Sequence, residues 1–495
     1  AALLRAAAAV PGQLPEPGVD DDDDDDVPLA MRAVARNAKP RGVLWLAQQG
    51  FAAGDAPAPG SLVISFGDHQ RGQLGVVPKE AARRVSRNTI VTVEELRGCE
   101  PLQVVAAGIA SFVVGSRGQV WGCGSNRCME LGSRKEIGQV QAAQRVKSLR
   151  GHRAVLMASS SSADGQAFTH MLTDEGELYT FGSSMCGALG QGPDVKQTAP
   201  LLNRMTTQMP IRWVAAGARH TVLVTDTGRL LTCGSNSHGQ LGHGSRDPAN
   251  AWAPKSVDKP GPVEGELAGL KIRLIEAGDD HTLATTEDGR LFAWGANANG
   301  QLGLGRVGDQ AVPLPVRELQ DASITSMACG SRHSLVVAAG GKQVWAFGSN
   351  VQGQLGIGQS SASEGFQMTS PMLLSALSGQ VLMEVAQVAA AACHSLAVTR
   401  TGELWAWGDN AYGQLGFPKE NHGHRMSHSV ATAVQGSRPP AKQLRSRTAV
   451  EVDVPRMFEN GVGRIYEPER VVSLALYRVL SAATSDMHTL VRAAP

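Results

Sequence analysis

Several features that mark common protein classes are missing from this chain of 495 residues. No apolar run reaches the length of a transmembrane helix, so we do not expect the chain to span a membrane. The seven cysteines are scattered and include no Cys-x-x-Cys pair, which argues against a disulfide framework and against a structural zinc site. The net charge is +1, so the surface as a whole is not expected to attract polyanions.

Sequence motifs of catalysis are also missing. The chain has no P-loop, no nucleophile elbow and no His-Glu metalloprotease motif. Gly-x-Gly sequences are frequent, but they fall between predicted strands and do not open a helix that could hold phosphate. No segment of any length has the hydrophobic periodicity of a helix. We therefore predict a protein without catalytic residues, without a cofactor and without a bound metal.

One spacing recurs seven times: a glycine is followed, seven residues later, by Leu-Gly. Successive copies of this frame lie roughly 52 to 61 residues apart, a period typical of repeat arrays and propellers. The clearest copies are Trp294–Gly303, Phe347–Gly356 and Trp407–Gly416. The pattern predicts an aromatic at the end of a strand, Gly and Asn at the positive-φ positions of a turn, an inward Leu, and a last Gly that permits close approach. The first glycines of the frames are Gly67, Gly124, Gly182, Gly234, Gly295, Gly348 and Gly408.

A second motif precedes most frames and is typical of a β-hairpin. It consists of a short apolar run, a Gly-containing turn, a histidine and a second apolar run, as in Val214 to Val224. Each repeat then supplies about four short strands, and radial repetition of such sheets predicts an all-β, seven-bladed propeller. The recurring histidines are His220, His281, His333, His394 and His488. They occur once per repeat and cannot gather in one metal site, so we predict that they hydrogen-bond within or between blades.

The two ends of the repeat region predict how the ring closes. Leu62 to Phe66 has the pattern of a strand but no histidine motif before it. Ser485 to Val491 has the pattern of a histidine motif but no frame after it. Each end supplies what the other lacks, so we expect the two ends to share one blade.

The two motifs together resemble the Regulator of Chromosome Condensation repeat family, over about residues 61 to 495. The resemblance implies a seven-bladed propeller; WD-repeat propellers match less well because their Trp-Asp ending is missing. Members of the family act as a guanine-nucleotide exchange factor on chromatin, as a plant ultraviolet-B photoreceptor, in cilia, in large ligases, and with mitochondrial ribosome and GTPase machinery. The photoreceptor carries Trp in its Gly-Trp-Arg-His-Thr repeats, and Gly217 to Thr221 has none. The fold by itself does not choose among the other functions.

Two segments depart from the repeat and are the predicted partner-binding parts. The extension 1–60 opens with an Ala-rich, Arg-bearing stretch similar to the end of an organelle transit peptide, continues with seven aspartates at 20–26, and offers Trp45 as an apolar anchor. We expect it to be partly disordered or partner-binding. The insertion at about 417–469 is irregular and basic, with Arg425, Lys442, Arg445 and Arg447 as candidates for gripping phosphate or an acidic protein. A solvated loop without a partner is the alternative for this insertion.

These observations favour a non-enzymatic scaffold that binds protein subunits of a larger assembly. The opening stretch favours an organelle, the mitochondrion before the chloroplast, over the nucleus, the cytoplasm or the cilium. Two alternatives stay open. One is a guanine-nucleotide exchange factor for a small GTPase, although the loop at 151–168 lacks the apolar residues of a wedge. The other is an accessory protein that binds RNA or a ribosome through residues 417–450.

Overall fold

The computed structural model describes residues 61–76, 91–96, 99–133, 138–160, 167–184, 186–192, 197–203, 206–245, 257–358, 367–378, 383–417, 464–471, 474–475 and 477–494. These residues form seven antiparallel sheets of four strands each. Neighbouring sheets contact one another through their innermost strands, and the last of these contacts the first, so the seven sheets close into a ring. The predicted seven-bladed propeller is therefore confirmed.

The strands are short, and most of them follow the repeat in groups of four along the chain. Their bounds are β1 Leu62–Gly67, β2 Val91–Thr92, β3 Pro101–Ala107, β4 Ala110–Gly115, β5 Val120–Ser125, β6 Gln139–Arg145, β7 Ala154–Ser159, β8 Phe168–Thr173, β9 Leu178–Ser183, β10 Gln197–Leu202, β11 Ile211–Ala216, β12 His220–Thr225, β13 Leu230–Gly234, β14 Val257–Pro262, β15 Ile272–Ala277, β16 His281–Thr286, β17 Leu291–Gly295, β18 Gln310–Pro315, β19 Ser326–Cys329, β20 His333–Ala338, β21 Gln343–Ser349, β22 Gln367–Leu373, β23 Val385–Ala390, β24 His394–Thr399, β25 Leu404–Asp409, β26 Arg464–Arg470, β27 Arg478–Thr484 and β28 His488–Ala494.

The blades are numbered from the one that contains both chain ends. Blade 1 has the order β27-β28-β1-β2 from the channel outward, and blades 2 to 7 are β3–β6, β7–β10, β11–β14, β15–β18, β19–β22 and β23–β26. The first strand of each blade lines the central channel and the fourth lies at the rim. Every blade except blade 1 is continuous in sequence, which explains the even spacing of the motifs.

Blade 1 closes the ring by pairing the two ends of the repeat region. Strand β1 is antiparallel to β28, and Ile64 lies opposite Val491. The predicted sharing of one blade is therefore confirmed. Two strands come from each end, because β2 adds to the outer side of β1 and β27 to the inner side of β28.

The two faces of the propeller differ in the loops that they carry. One face carries the histidine loops, between the first and second strands of each blade, and the frame loops, between the third and fourth. The two kinds of loop share this face because His220 pairs with Gly234 at the ends of β12 and β13. We call this the histidine face. The opposite face, here the turn face, carries the tight turns between the second and third strands and the connections from one blade to the next.

Short 3₁₀ turns anchor most of the connections on the turn face. Each ends in a leucine that is at least 96% buried, so the connection contributes to the core as well as linking blades. They are Glu94–Leu96, Lys147–Leu149, Gly265–Leu267, Arg317–Leu319 and Ser375–Leu377. A sixth, Ala339–Gly341, forms the turn between β20 and β21.

The predicted insertion leaves blade 7 from the histidine face. Phe417 is buried, and the polypeptide returns at β26, whose first residue Arg464 pairs with Asp409. Residues 464–469 therefore belong to the rim strand of blade 7 rather than to the insertion, and residues 418–463 lie outside the described residues. Residue 61 precedes β1 at the turn face, because Leu62 pairs with Ala493 at the end of β1–β28 remote from His488. The two predicted partner-binding segments are thus attached to opposite faces.

Candidate functional site

The frame glycines hold the loop tightly against the blade. The first glycine of every frame has a φ between about +99° and +115°, a region that strongly favours glycine. A Cβ at Gly295 would lie 2.5 Å from the carbonyl oxygen of Asp280, the residue before the histidine. The same backbone contact recurs at the other frames, so the spacing found in the sequence reflects a fixed loop geometry.

The predicted role of the frame asparagines was wrong. None of them has a positive φ among the described residues; instead the side chain closes the loop. Asn297 Oδ1 accepts a hydrogen bond of 3.1 Å from the backbone N–H of Leu302, five residues later. The same bond forms from Leu131, Leu241, Leu355 and Leu415 to Asn126, Asn236, Asn350 and Asn410. Asparagine is favoured here because its amide oxygen mimics a backbone acceptor.

The last glycine of each frame lies against a side chain of the next blade. At Gly356 a Cβ would come within 2.9 Å of Trp407 Nε1, and at Gly303 within 3.0 Å of the Phe347 ring. The contacting residue always precedes a frame glycine: Phe66, Cys123, Phe181, Cys233, Trp294, Phe347 or Trp407. The prediction that this glycine permits a close approach is confirmed, but the approaching group is a side chain of the next blade rather than backbone. Each buried aromatic in this position contributes about 2–3 kcal/mol by burial.

A hydroxyl group reinforces each of the seven junctions. The residue after the histidine position, a Ser or Thr, donates to a frame carbonyl of the preceding blade, as Ser395 does to Gln354 at 2.8 Å. The same bond joins Ser111 to Gln73, Thr169 to Glu130, Thr221 to Ala188, Thr282 to Gln240, Ser334 to Gln301 and Thr489 to Gln414. Trp294 and Trp407 Nε1 donate to the same carbonyls, those of Gln240 and Gln354.

The histidines complete these junctions. His220 Nε2 lies 3.0 Å from Thr282 Oγ1 of the next blade, and His281 Nε2 lies 2.9 Å from Ser334 Oγ. His333 contacts Ser395 and His488 contacts Ser111 in the same way. His394 instead contacts Thr484 at the end of β27, and Thr484 hydrogen-bonds to Thr489. Because Thr282 and Ser334 give their single proton to a carbonyl, the histidine must donate from Nε2. The geometry thus assigns these residues to blade-to-blade hydrogen bonding.

Sequence reasoning missed one member of this set, His170. In blade 3 the histidine position is Phe168, which pairs with the frame glycine Gly182. His170, two residues later on the same side of β8, places Nε2 2.8 Å from Thr221 Oγ1 of blade 4. The period-2 alternation of a strand was the available signal, because residues 168 and 170 point the same way.

Burial keeps the six junction histidines neutral. Desolvation lowers the pKa of His170, His281, His333, His394 and His488 to about 3, and that of His220 to about 4. A protonated ring would have no counter-ion in the junction. Among the described residues, no group of three or more His, Cys, Asp or Glu side chains is placed to hold a metal ion.

Two glutamine amides join the inner strands across the channel wall. Gln103 on β3 accepts from the Met157 N–H at 2.9 Å and donates to the Met157 carbonyl at 3.0 Å, which ties blade 2 to blade 3. Gln387 on β23 binds the backbone of Ala482 through the same pair of bonds, both 3.2 Å, and ties blade 7 to blade 1. Both amides are therefore structural.

Carboxylates gather where the channel opens on the histidine face. Asp279 and Asp280 lie in the histidine loop of blade 5, and Asp486 lies in that of blade 1. Burial, with Asp279 nearby, raises the pKa of Asp486 to about 6, although the Ala392 N–H donates to it at 2.9 Å. Burial also raises the pKa of Asp280, which accepts from Gln240 at 3.0 Å. We call Asp279, Asp280 and Asp486 the acidic mouth.

The acidic mouth was not predicted, because Asp486 is more than 200 positions from Asp279 and Asp280 in the sequence and only the ring brings them together. The predicted partner-binding residues Trp45, Arg425, Lys442, Arg445 and Arg447 lie outside the described residues. Within the described part of the chain, no helix is long and apolar enough to cross a membrane.

The family model and the relatives found by comparison with known proteins agree on one family. The model of the RCC1-like domain matches residues 186–446. Mouse E3 ubiquitin-protein ligase HERC2 is 29% identical over 345 residues, 69% of this chain and 7% of that protein. The ultraviolet-B receptor UVR8 of Arabidopsis thaliana is 32% identical over 274 residues, 55% of this chain and 58% of that protein. The chain thus spans less than two thirds of these relatives.

Solved structures match over more of the chain. Prp20p of Saccharomyces cerevisiae, described with its binding to Gsp1p and histones, has a TM-score of 0.68 at 18% identity and covers 88% of this chain and 92% of its own. Human WBSCR16 has a TM-score of 0.65 at 21% identity and covers 88% of this chain and 98% of its own. At these identities the likeness concerns the fold.

Proposed function

Because the chain belongs to the RCC1-like domain family, we propose that it is a non-enzymatic protein-interaction propeller, a scaffold subunit of a larger assembly. One observation carries the proposal: the recurring polar side chains are used in holding the ring together. The six histidines and the seven hydroxyls that could have formed a catalytic group are buried at blade junctions instead.

A rigid ring of this kind contributes shape, and its variable parts contribute specificity. The described histidine loops are short, and carboxylates outnumber arginines in them. The basic insertion 418–463 leaves the same face, and the extension 1–60 joins the opposite one. Segments that order on binding give long reach at modest affinity per area. We therefore assign contact with neighbouring subunits to both segments, with Trp45, Arg425, Lys442, Arg445 and Arg447 as the contacting residues.

The test is recovery of partners by the tagged full chain and by a variant that lacks residues 421–447, each at low and at raised salt. We expect the variant to unfold at the wild-type temperature, because the deletion lies between Phe417 and Arg464 of an intact blade. It should recover its partners poorly, and wild-type recovery should fall with salt, because the deleted segment is basic. Full recovery by the variant would contradict the proposal.

Nucleotide exchange is the second candidate function. The acidic mouth favours it over RNA binding on the histidine face, because carboxylates repel the phosphates of RNA. Prp20p is described with its binding to Gsp1p. An exchange factor would form a stable complex with a nucleotide-free small GTPase that added nucleotide dissolves. An RNA-associated protein would instead lose its partners on nuclease treatment, and this loss would assign the role to the basic insertion.

A further inference from the structure

The central channel is too small for an ordinary small-molecule site. Its volume is about 240 Å³, below the roughly 300–1,000 Å³ that is typical of ligand pockets. Its wall is formed by the seven inner strands and consists mainly of Ala, Val, Leu and Met side chains. A cavity of this size and shape suits one extended side chain entering along the axis.

Glu276 on β15 is the one carboxyl group in this wall, and Cys329 on β19 is its one other ionisable neighbour among the described residues that line the channel. The Glu276 side chain makes no hydrogen bond or ion pair with the described residues, in contrast to the side chains of Gln103 and Gln387. It keeps partial exposure because it faces the channel. Surrounding protein nevertheless raises its pKa to about 8. The ionised form of an unpaired carboxyl in such a place is costly, so Glu276 stays mostly protonated near neutral pH unless a partner supplies a cation.

Glu276 and the acidic mouth lie along one path. Asp279 follows Glu276 by three residues, so the Cα atoms of the two residues are within about 10 Å of each other. Asp486 belongs to blade 1 and lies close enough to Asp279 of blade 5 for that carboxylate to raise its pKa. Two arginines also lie on the rim: Arg219 near Asp280, and Arg332 near Cys393. The three carboxylates of the acidic mouth outnumber these two arginines, and among the described residues no basic side chain lines the channel wall.

We propose that the acidic mouth binds a basic segment of a protein partner and that one Lys or Arg side chain of this segment enters the channel and pairs with Glu276. This inference rests on the proposed protein-interaction function and names the chemistry of the partner. Pairing with a cation favours the ionised carboxylate, so the Glu276 proton passes to the buffer when the segment binds.

The experiment uses the full chain and a short synthetic peptide of alternating glycine and lysine, labelled for fluorescence anisotropy. We expect saturable binding that is lost when the peptide lysines are acetylated, because acetylation removes their charge. Glu276→Gln should weaken binding at least about tenfold, since it removes one partner of a desolvated pair. Calorimetry near neutral pH in two buffers of different ionisation enthalpy should detect proton release by the wild type and less by Glu276→Gln.

The matched control is Glu318→Gln, which makes the same charge change at an exposed residue in a 3₁₀ turn of the turn face. It should bind the peptide as the wild type does. Equal binding by Glu276→Gln and wild type, with both folded, would overturn the inference, and so would equal weakening by both variants. If Glu276→Gln also recovers all partners in the pull-down, the scaffold function stands while the channel site fails.

Discussion

Blades 2 and 3 meet without the histidine that joins every other pair of neighbouring blades. In blade 2 the histidine position is occupied by Ala110. The turn before it has only two residues, Gly108 and Ile109, one fewer than the turn 217–219 of blade 4. Thr169 keeps its bond to the Glu130 carbonyl at 3.0 Å, and the Phe181 ring still covers Gly132. The comparison separates the constant parts of a junction from the replaceable one.

The constant parts are the glycine–side chain contact and the hydroxyl–carbonyl bond, which occur at all seven junctions. The histidine is the replaceable part. Where it is missing, the Gln103 amide supplies two bonds from the channel side. A junction thus needs a packed contact and a satisfied carbonyl, and several polar side chains can add the remaining bond.

Lowering the pH should have the largest effect on stability. It should act on the six junctions that contain a histidine and not on the junction of blades 2 and 3. Below pH 6.5 the unfolded chain binds protons that six junction histidines cannot accept when folded, so stability is lost as the pH falls. By about pH 5 each of them costs about 2 kcal/mol, and the sum is comparable to the about 5–15 kcal/mol stability of a domain. Glu276 and Asp486 offset part of this loss, because their raised pKa values let the folded protein take up protons over the same range.

The measurement is the denaturant midpoint at several pH values between neutral and about pH 5, where we expect a steep decline. His281→Gln should lower the number of protons taken up on unfolding by about one near pH 5. A midpoint that does not change over this range would show that the histidines are not held neutral.

The glycine contact should have the next largest effect. Gly356→Ala places a Cβ 2.9 Å from Trp407 and Leu374 at a φ of +69°, so we expect a loss of about 2–4 kcal/mol from strain and overpacking together. Gly340 has the same φ of +69° with no atom within 4 Å, so Gly340→Ala measures the strain by itself, about 1 kcal/mol. Equal shifts of thermal unfolding in the two variants would contradict a role for the Gly356 contact.

The smallest effect should come from removing the glutamine amides. This experiment tests directly whether the Gln103 amide replaces the histidine that is missing between blades 2 and 3. Gln103→Ala should cost about 1–2 kcal/mol, because it leaves the blade 2–3 junction with neither amide nor histidine. Gln387→Ala should cost about half as much, since His394 still joins blade 7 to blade 1. If thermal unfolding shows the reverse order, Gln103 does not compensate for the missing histidine.

The repeat, the number of blades and the closure could be predicted because each depends on local patterns that recur: Gly303 and Gly356 occupy the same backbone geometry. The role predicted for Asn297 was wrong because asparagine is favoured at turns for two reasons, a positive φ and a side-chain hydrogen bond. The residue type does not tell which of the two applies. His170 was missed because Phe168 occupies the expected position. The acidic mouth was missed although Asp279 and Asp486 stand at the same position of the histidine motif, because most other copies have no acid there and only the closed ring brings these two loops together.

The closing blade also has a mechanical consequence. The first residue of β1 and the last residues of β28 lie side by side on the turn face, with Leu62 opposite Ala493. Tension applied between these two ends would peel β1 from β28 one pair at a time, beginning at Leu62, whereas tension entering from opposite faces would shear all six pairs together. The strand pairing that completes the ring is therefore the seam at which a pulled molecule should open first.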